Sequence, residues 1–295
     1  RAGAAVRGGA DLVLELPLPW SIASAEGFAR GGVGVLNATG IVDTLAFGSE
    51  CGETEKLRRA AEALLREDFS ERLRDELSKG LSFAAARESA ARALIGEDAG
   101  VLAEPNDILG VEYCKALLRR RSAIRPLTVR RTGSVHDGAL EPGAHPSASA
   151  IRALLRDGET ERALSLLPPA MAKVYREEAA AGRAPVFAET CQRALLARLR
   201  TMTESDFAAL DQGREGLGRR LWEASRSAVS VAEILSAAKT KRYAYARLRR
   251  MVLWAYLGLT PADVPAAVPY LRPLAANDIG RRLLSAMRRE ASVPI

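Results

Sequence analysis

The chain has 295 residues, 48% of them hydrophobic, which is enough for two domains of ordinary size with a core each. Lys and Arg number 43 against 36 Asp and Glu, and the net charge of +7 favours a polyanionic partner. No run of eighteen apolar residues and no secretory leader is present, so a soluble cytoplasmic protein is expected. Cys51, Cys114 and Cys191 lack the spacing of a disulfide framework or zinc knuckle, and with only His136 and His145 to add, no metal site is expected.

In chain order, "ADLVLELP" (10–17) is a Leu/Val run closed by proline and predicts a buried strand. Ala25, Phe28, Ala29 and Leu36 then recur at helical spacing, weakened by Gly31, Gly32 and Gly34. "DTLAFGSE" (43–50) predicts a second strand. Residues 53–80 read as one long charged surface helix, with Leu57, Ala61, Leu65, Phe69, Leu73 and Leu77 on one face and Gly80 as its stop. Helices follow over roughly 83–95 and from "PNDILG" onward, the latter with Leu109, Tyr113, Ala116 and Leu117 on one face. "SAIRPLTVRRTG" (122–133) predicts a strand, residues 134–147 a Gly- and Pro-rich loop, and Ser149 the start of a capped helix.

This alternation over residues 1–157 argues for a parallel sheet covered on both faces, the α/β class. Beyond Asp157 the pattern becomes helical, with a break at Pro168 and Pro169 and no convincing strand. The expected division is therefore residues 1–160 and an all-helical domain of 161–295.

In an open parallel sheet, ligands bind beyond the carboxyl ends of the strands. Three residues fall there. Gly48 either admits a ligand to the backbone or makes a tight turn; Asn106 either caps its helix or contacts a ligand; Arg131 either ends a strand as a surface charge or serves the same site. Ser149, with Ser147 before it and Arg152 one turn on, could hold phosphate at a helix start or simply cap a surface helix. Read as one helix, "AKTKRYAYARLRRMVLWAYLGL" gathers Lys239, Lys241, Arg242, Arg247, Arg249 and Arg250 with Tyr243 and Tyr245, beside an apolar face of Leu248, Met251, Val252 and Tyr256. Such a surface suits RNA, the alternative being a solvated face; the lack of any acid over residues 239–262 favours RNA. The Gly-x-Gly in "GGVGVLN" lacks the dinucleotide fingerprint and reads as close packing, and Ser236-x-x-Lys239 lacks its companion motifs.

The segments "GADLVLELPLPWSIASAEGFARGGVGVLN", "LAFGSECG", "LSKGLSFAAAR", "PNDILGVEYCKAL", "RRTGSVHDG", "SASAIR", "GREGLGRRL" and "KTKRYAYARLRRM" span nearly the whole chain. In combination they resemble the bacterial tRNA(Met) cytidine acetate ligases, within the nucleotidyltransferase-like α/β superfamily. The resemblance implies a Rossmann-like domain, then a helical, tRNA-binding one. It also implies ATP and acetate as substrates, Mg²⁺ arriving with ATP, an acetyl-adenylate, and acetyl transfer to the wobble cytidine of elongator tRNA(Met). ATP contacts carry over to Gly48, Asn106 and Arg131; Ser149 and Arg152 resemble the superfamily's helix-start phosphate motif. On this reading Asp107 caps or complements the helix start while Asn106 turns toward ATP. The superfamily's His-x-Gly-His loop has no counterpart here and the first residue is Arg1, so a preceding segment with that loop and a first strand is expected. A protein truly starting at Arg1 is expected not to adenylate. The alternatives are a non-catalytic RNA-binding relative and a nucleotidyltransferase that makes a small cofactor.

Overall fold

A computed structural model describes residues 1–132, 146–211, 216–240 and 243–295. In chain order the elements are α1 (Ala2–Arg7), β1 (Leu12–Leu14), α2 (Ala25–Ala38), β2 (Thr44–Ser49), α3 (Thr54–Leu65), α4 (Phe69–Ser78), α5 (Phe83–Ile95), α6 (Pro105–Arg120), β3 (Arg125–Arg130) and α7 (Ala148–Arg156). They continue as α8 (Thr160–Ser165), α9 (Pro169–Ala180), α10 (Gln192–Thr201), α11 (Glu204–Asp211), α12 (Leu217–Ser227), α13 (Val231–Ala238), α14 (Tyr245–Leu257), β4 (Pro273–Ala276) and α15 (Asp278–Glu290). No described helix is long and apolar enough to cross a membrane.

The first compact unit comprises Arg1–Leu16, Ala25–Ala184 and Val268–Ile295. Its parallel pair is β2 and β3, in register from Thr44 against Arg125 to Ser49 against Arg130. The chain passes from β2 to β3 through α3–α6, the long crossover that parallel pairing requires. Leu57, Ala60 and Ala61 of α3 bury against Val111 and Cys114 of α6 and Ala90 and Ala91 of α5. α6 approaches β2 closely because residue 110 is glycine: a Cβ there would stand 2.8 Å from Phe47 Cε2 and 2.9 Å from Leu57 Cδ1.

Three expectations are corrected here. The strand at β1 is not part of the parallel pair; it runs antiparallel to β4, Leu12 facing Ala276 and Val13 facing Ala275. β4 is therefore a strand inside the region expected to be all helical, hidden because "PLAA" is short and carries no alternation of large apolar residues. The expected long helix of 53–80 is α3 and α4, broken where Arg66 turns extended (φ −64°, ψ 147°). Asp68 holds the break by accepting from Arg66 and Arg72, at 2.9 and 3.2 Å. The apolar spacing runs through from Leu65 to Phe69, so periodicity alone could not show it.

The division also falls elsewhere than at residue 160. α7 packs on α8, α8 on α9 and α9 on α1, where Arg7 pairs with Glu177 at 2.9 Å, so these helices belong to the first unit. The second unit comprises Pro17–Ser24 and Pro185–Ala267. It is helical, with Leu199, Phe207, Leu217, Leu221, Ile234 and Leu248 at its core. Arg226 satisfies the end of α10 by donating to the carbonyls of Leu199 and Arg200, at 2.5 and 2.6 Å. Trp254 Nε1 donates to Ile22 O at 2.9 Å, tying the short N-terminal strip to α14.

Gly110→Ala tests the α6–β2 contact. Helix propensity alone favours alanine by about 1 kcal/mol, whereas overpacking a filled core costs about 1–3 kcal/mol. The expected outcome is a lower urea midpoint at unchanged slope; a raised midpoint would mean that Phe47 and Leu57 can move aside.

Candidate functional site

The carboxyl ends of β2 and β3 and the amino end of α6 meet at one place. Arg125 N donates to Asp43 O and Arg131 N to Ser49 O, at 2.9 Å each, which fixes the phase of the parallel ladder. With that period, the N–H and C=O of Gly48 point away from β3, and Gly48 is exposed. The Arg131 side chain lies against it: a Cβ on residue 48 would come within 3.2 Å of Arg131 Cγ. Beyond the strand, Ser49 Oγ accepts from Thr128 Oγ1 at 2.6 Å and from Gly52 N at 3.0 Å. Gly52 takes φ +68° and passes so near Arg130 that a Cβ would sit 2.6 Å from Arg130 Cβ, so the turn requires glycine.

Two carboxylates then join this turn to α6. Glu50 Oε1 accepts from Asn106 N at 3.3 Å and from Asn106 Nδ2 at 2.6 Å, and Glu50 Oε2 accepts from Asp107 N at 2.8 Å. In return, Asp107 Oδ1 accepts from Glu50 N at 2.9 Å and Cys51 N at 3.1 Å. The helix start is thus capped from outside, since its own N-cap residue, Glu104, makes no side-chain cap bond. Burial works to raise the Glu50 carboxyl, yet the Asn106 amide and the backbone N–H groups outweigh it and hold it below the ordinary value. Burial, with Asp107 beside it, pushes the Cys51 thiol up, which argues against that thiol as a nucleophile.

Asn106 is not the N-cap; it follows Pro105 inside the first turn. Asp107 does not cap its own helix; only 2% exposed, it serves the backbone at the end of β2. The residue at this junction that sequence reasoning missed is Glu50. Its signal was present, an acid directly after "FGS" and a helix start lacking a local side-chain cap, but their pairing is a tertiary fact.

The structure therefore brings together Gly48, Asn106 and Arg131. Ser149 and Arg152 lie on α7, whose packing partner is α8. The cap of α7 is Ser147, which accepts from Ala150 N at 3.1 Å, not Ser149. Ser149 Oγ accepts from Arg152 one turn on, at 3.1 Å.

The basic stretch is not one helix. α13 ends at Ala238, Lys239 is extended, and α14 starts at Tyr245 after an extended Ala244, although neither Gly nor Pro marks the break. Lys239 Nζ donates to Thr240 O at 2.6 Å and stands 5.5 Å from the Tyr245 ring; Arg247 stands 5.6 Å from the Tyr243 ring. Tyr243 is only 4% exposed and cannot stack on a base, whereas Tyr245 is 43% exposed and can. Arg249 is exposed and Arg250 half-buried, its guanidinium shifted down by burial and then by Arg247. On the expected apolar face, Leu248, Met251 and Val252 are buried, while Tyr256 is 36% exposed. Lys241 and Arg242, like His136 and His145, lie outside the described residues.

The family model described as HIGH Nucleotidyl Transferase matches residues 1–295. Over its whole length the chain is 34% identical to the tRNA(Met) cytidine acetate ligase of Fervidobacterium nodosum and 35% identical to that of Acetivibrio thermocellus, spanning 71% and 74% of those proteins. It is similar to the crystal structures of Thermotoga maritima TmcAL, in an apo form (TM-score 0.94, 35% identity) and bound with alpha-thio ATP (TM-score 0.91, 34% identity). Both cover the entire chain, which spans 73% and 72% of them.

Asp107→Ala orphans two backbone N–H groups and is expected to cost about 2–3 kcal/mol, measured by chemical unfolding; a loss below a few tenths would mean that water replaces the carboxylate. Glu50 has the opposite experimental handle, pH. Its folded value is lowered, so its contribution is present above the unfolded value of about 4.3 and disappears as pH falls through the folded one. The stability gap between the native chain and Glu50→Gln should therefore be open at neutral pH and closed in acid, and a gap that is constant with pH contradicts the assignment.

Proposed function

Because this chain belongs to the HIGH nucleotidyl transferase family, and within it to the tRNA(Met) cytidine acetate ligases, we propose that it serves the ATP-dependent acetylation of the wobble cytidine of elongator tRNA(Met). The observation that carries this reading is the convergence of Gly48, Asn106 and Arg131 at the carboxyl end of a parallel strand pair, where α/β sheets hold nucleotides.

In the first step an acetate oxygen attacks the α-phosphorus of ATP and pyrophosphate leaves. In the second, the exocyclic amine of cytidine attacks the acetyl carbon and AMP departs. Neither step needs a nucleophile from the protein; each needs alignment and compensation of phosphate charge. Gly48 offers an exposed backbone N–H and C=O with no side chain of its own, Asn106 a carboxamide at a positive helix end, and Arg131 an exposed guanidinium. Ser149 and Arg152 at the start of α7 are a further phosphate contact on this reading. Glu50 and Asp107 are already engaged by N–H groups, and no group of three or more His, Cys, Asp or Glu is set to hold an ion among the described residues. On this reading Mg²⁺ enters with the phosphates of ATP. Lys239, Lys241, Arg242, Arg247, Arg249 and Arg250 supply tRNA contacts, and the setting is the cytoplasm, where ATP and tRNA occur together.

The test uses the product of the complete reading frame containing this chain, with ATP, labelled acetate and tRNA(Met). Acetylcytidine and pyrophosphate should form, and Asn106→Ala or Arg131→Ala should lower kcat/KM for ATP by about 10–100-fold. No acetylcytidine under saturating conditions overturns the proposal, and pyrophosphate release that needs neither acetate nor tRNA points to a cofactor-forming enzyme. Replacing Lys241, Arg242 and Arg249 together with alanine should reduce the slope of log affinity for tRNA against log salt by about 2; an unchanged slope returns that face to solvent.

A further inference from the structure

The carboxamide of Asn106 is not free to choose its orientation. Its partner, Glu50 Oε1, lies 2.6 Å away. An ionised carboxylate only accepts, so the group facing it must be the NH₂; turning the amide over would place two acceptors together at that distance. The same oxygen is held in place by Asn106 N, and the other oxygen by Asp107 N. The hydrogen bonds that orient Glu50 also keep it ionised. Asn106 Oδ1 has no donor among the described residues, and the side chain is half-buried rather than lost in the core.

We propose that Glu50 is a positioning residue that fixes Asn106 with its carbonyl oxygen outward, so that the site takes its nucleotide through a hydrogen-bond donor. This inference rests on the reading of the site as an ATP site. ATP carries such donors in two places, the 6-amino group of adenine and the ribose hydroxyls. A 6-oxo purine presents an acceptor where adenine presents its amine, and would oppose Oδ1. Glu50 itself need not touch the nucleotide. It acts by denying Asn106 the inverted orientation, which would accept a 6-oxo base as readily.

The experiment compares equilibrium binding of ATP, ITP, 2′-deoxy-ATP and 3′-deoxy-ATP to the native chain, Asn106→Ala and Glu50→Gln. In the native chain at least one analogue should bind about tenfold more weakly than ATP, ITP if the amine is the donor and a deoxy-ATP if a hydroxyl is. In Glu50→Gln, whose amide can donate as well as accept, that ratio should fall to within about twofold, as it should in Asn106→Ala. Because the ratio is taken within one protein, a loss of folded material cancels from it. Equal binding of all four nucleotides by the native chain, or a ratio that survives in Glu50→Gln, overturns the inference while leaving the ATP site standing. Failure to bind ATP, or binding indifferent to changes at Gly48, Asn106 and Arg131, overturns the ATP-site reading and this inference with it.

Discussion

Glu50 and Asp107 each bind the backbone that carries the other. The Glu50 carboxylate caps the first turn of α6, and the Asp107 carboxylate receives the N–H groups with which β2 ends. A strand end and a helix start both leave polar groups unpaired, and each would cost free energy if buried that way. Here one exchange satisfies both. It also sets the distance and angle between the two elements, so that the exposed edge of Gly48, the Arg131 side chain and the Asn106 amide become a single surface. Local geometry at either element alone could not have produced that arrangement.

The rest of the first unit supports the exchange from below. Gly110, one turn along α6, lets the helix approach the Phe47 ring, so α6 is held against β2 by packing as well as by the carboxylates. Thr128 and Ser49 fasten the two strands where the site begins, and Thr54 Oγ1 accepts from Thr128 N on the outer side of β3. The fixed parts of the site therefore come from strand ends and a helix start, the places where backbone groups remain available to a ligand.

Much of this could be seen in the amino-acid sequence, and the misses have definite causes. β2, β3 and α6 were legible because apolar runs and helical spacing coincide with Gly and Pro punctuation. Gly48, Asn106 and Arg131 were found because they stand at element ends, but their meeting was supplied by resemblance rather than by spacing. Glu50 was overlooked because its partners lie 56 and 57 residues away. The α3–α4 and α13–α14 breaks escaped because neither contains Gly or Pro and the hydrophobic period runs through them. The strand β4 and the true limits of the units were invisible for a deeper reason. Pairing between Leu12 and Ala276 leaves no local mark on either segment.

That long-range pairing has a consequence for how the chain is made. β1 cannot acquire its partner until β4 has been synthesised, and at ribosomal rates of about 5–20 residues per second the wait is roughly 10–50 s. Through that interval residues 185–267 of the second unit, whose core contacts are sequentially closer, emerge and can pack together. The first unit must meanwhile hold an unpaired strand edge in solution. A nascent chain of this design is most exposed to mispairing along the edge of β1, and β4 with α15 packed behind it is what closes that edge.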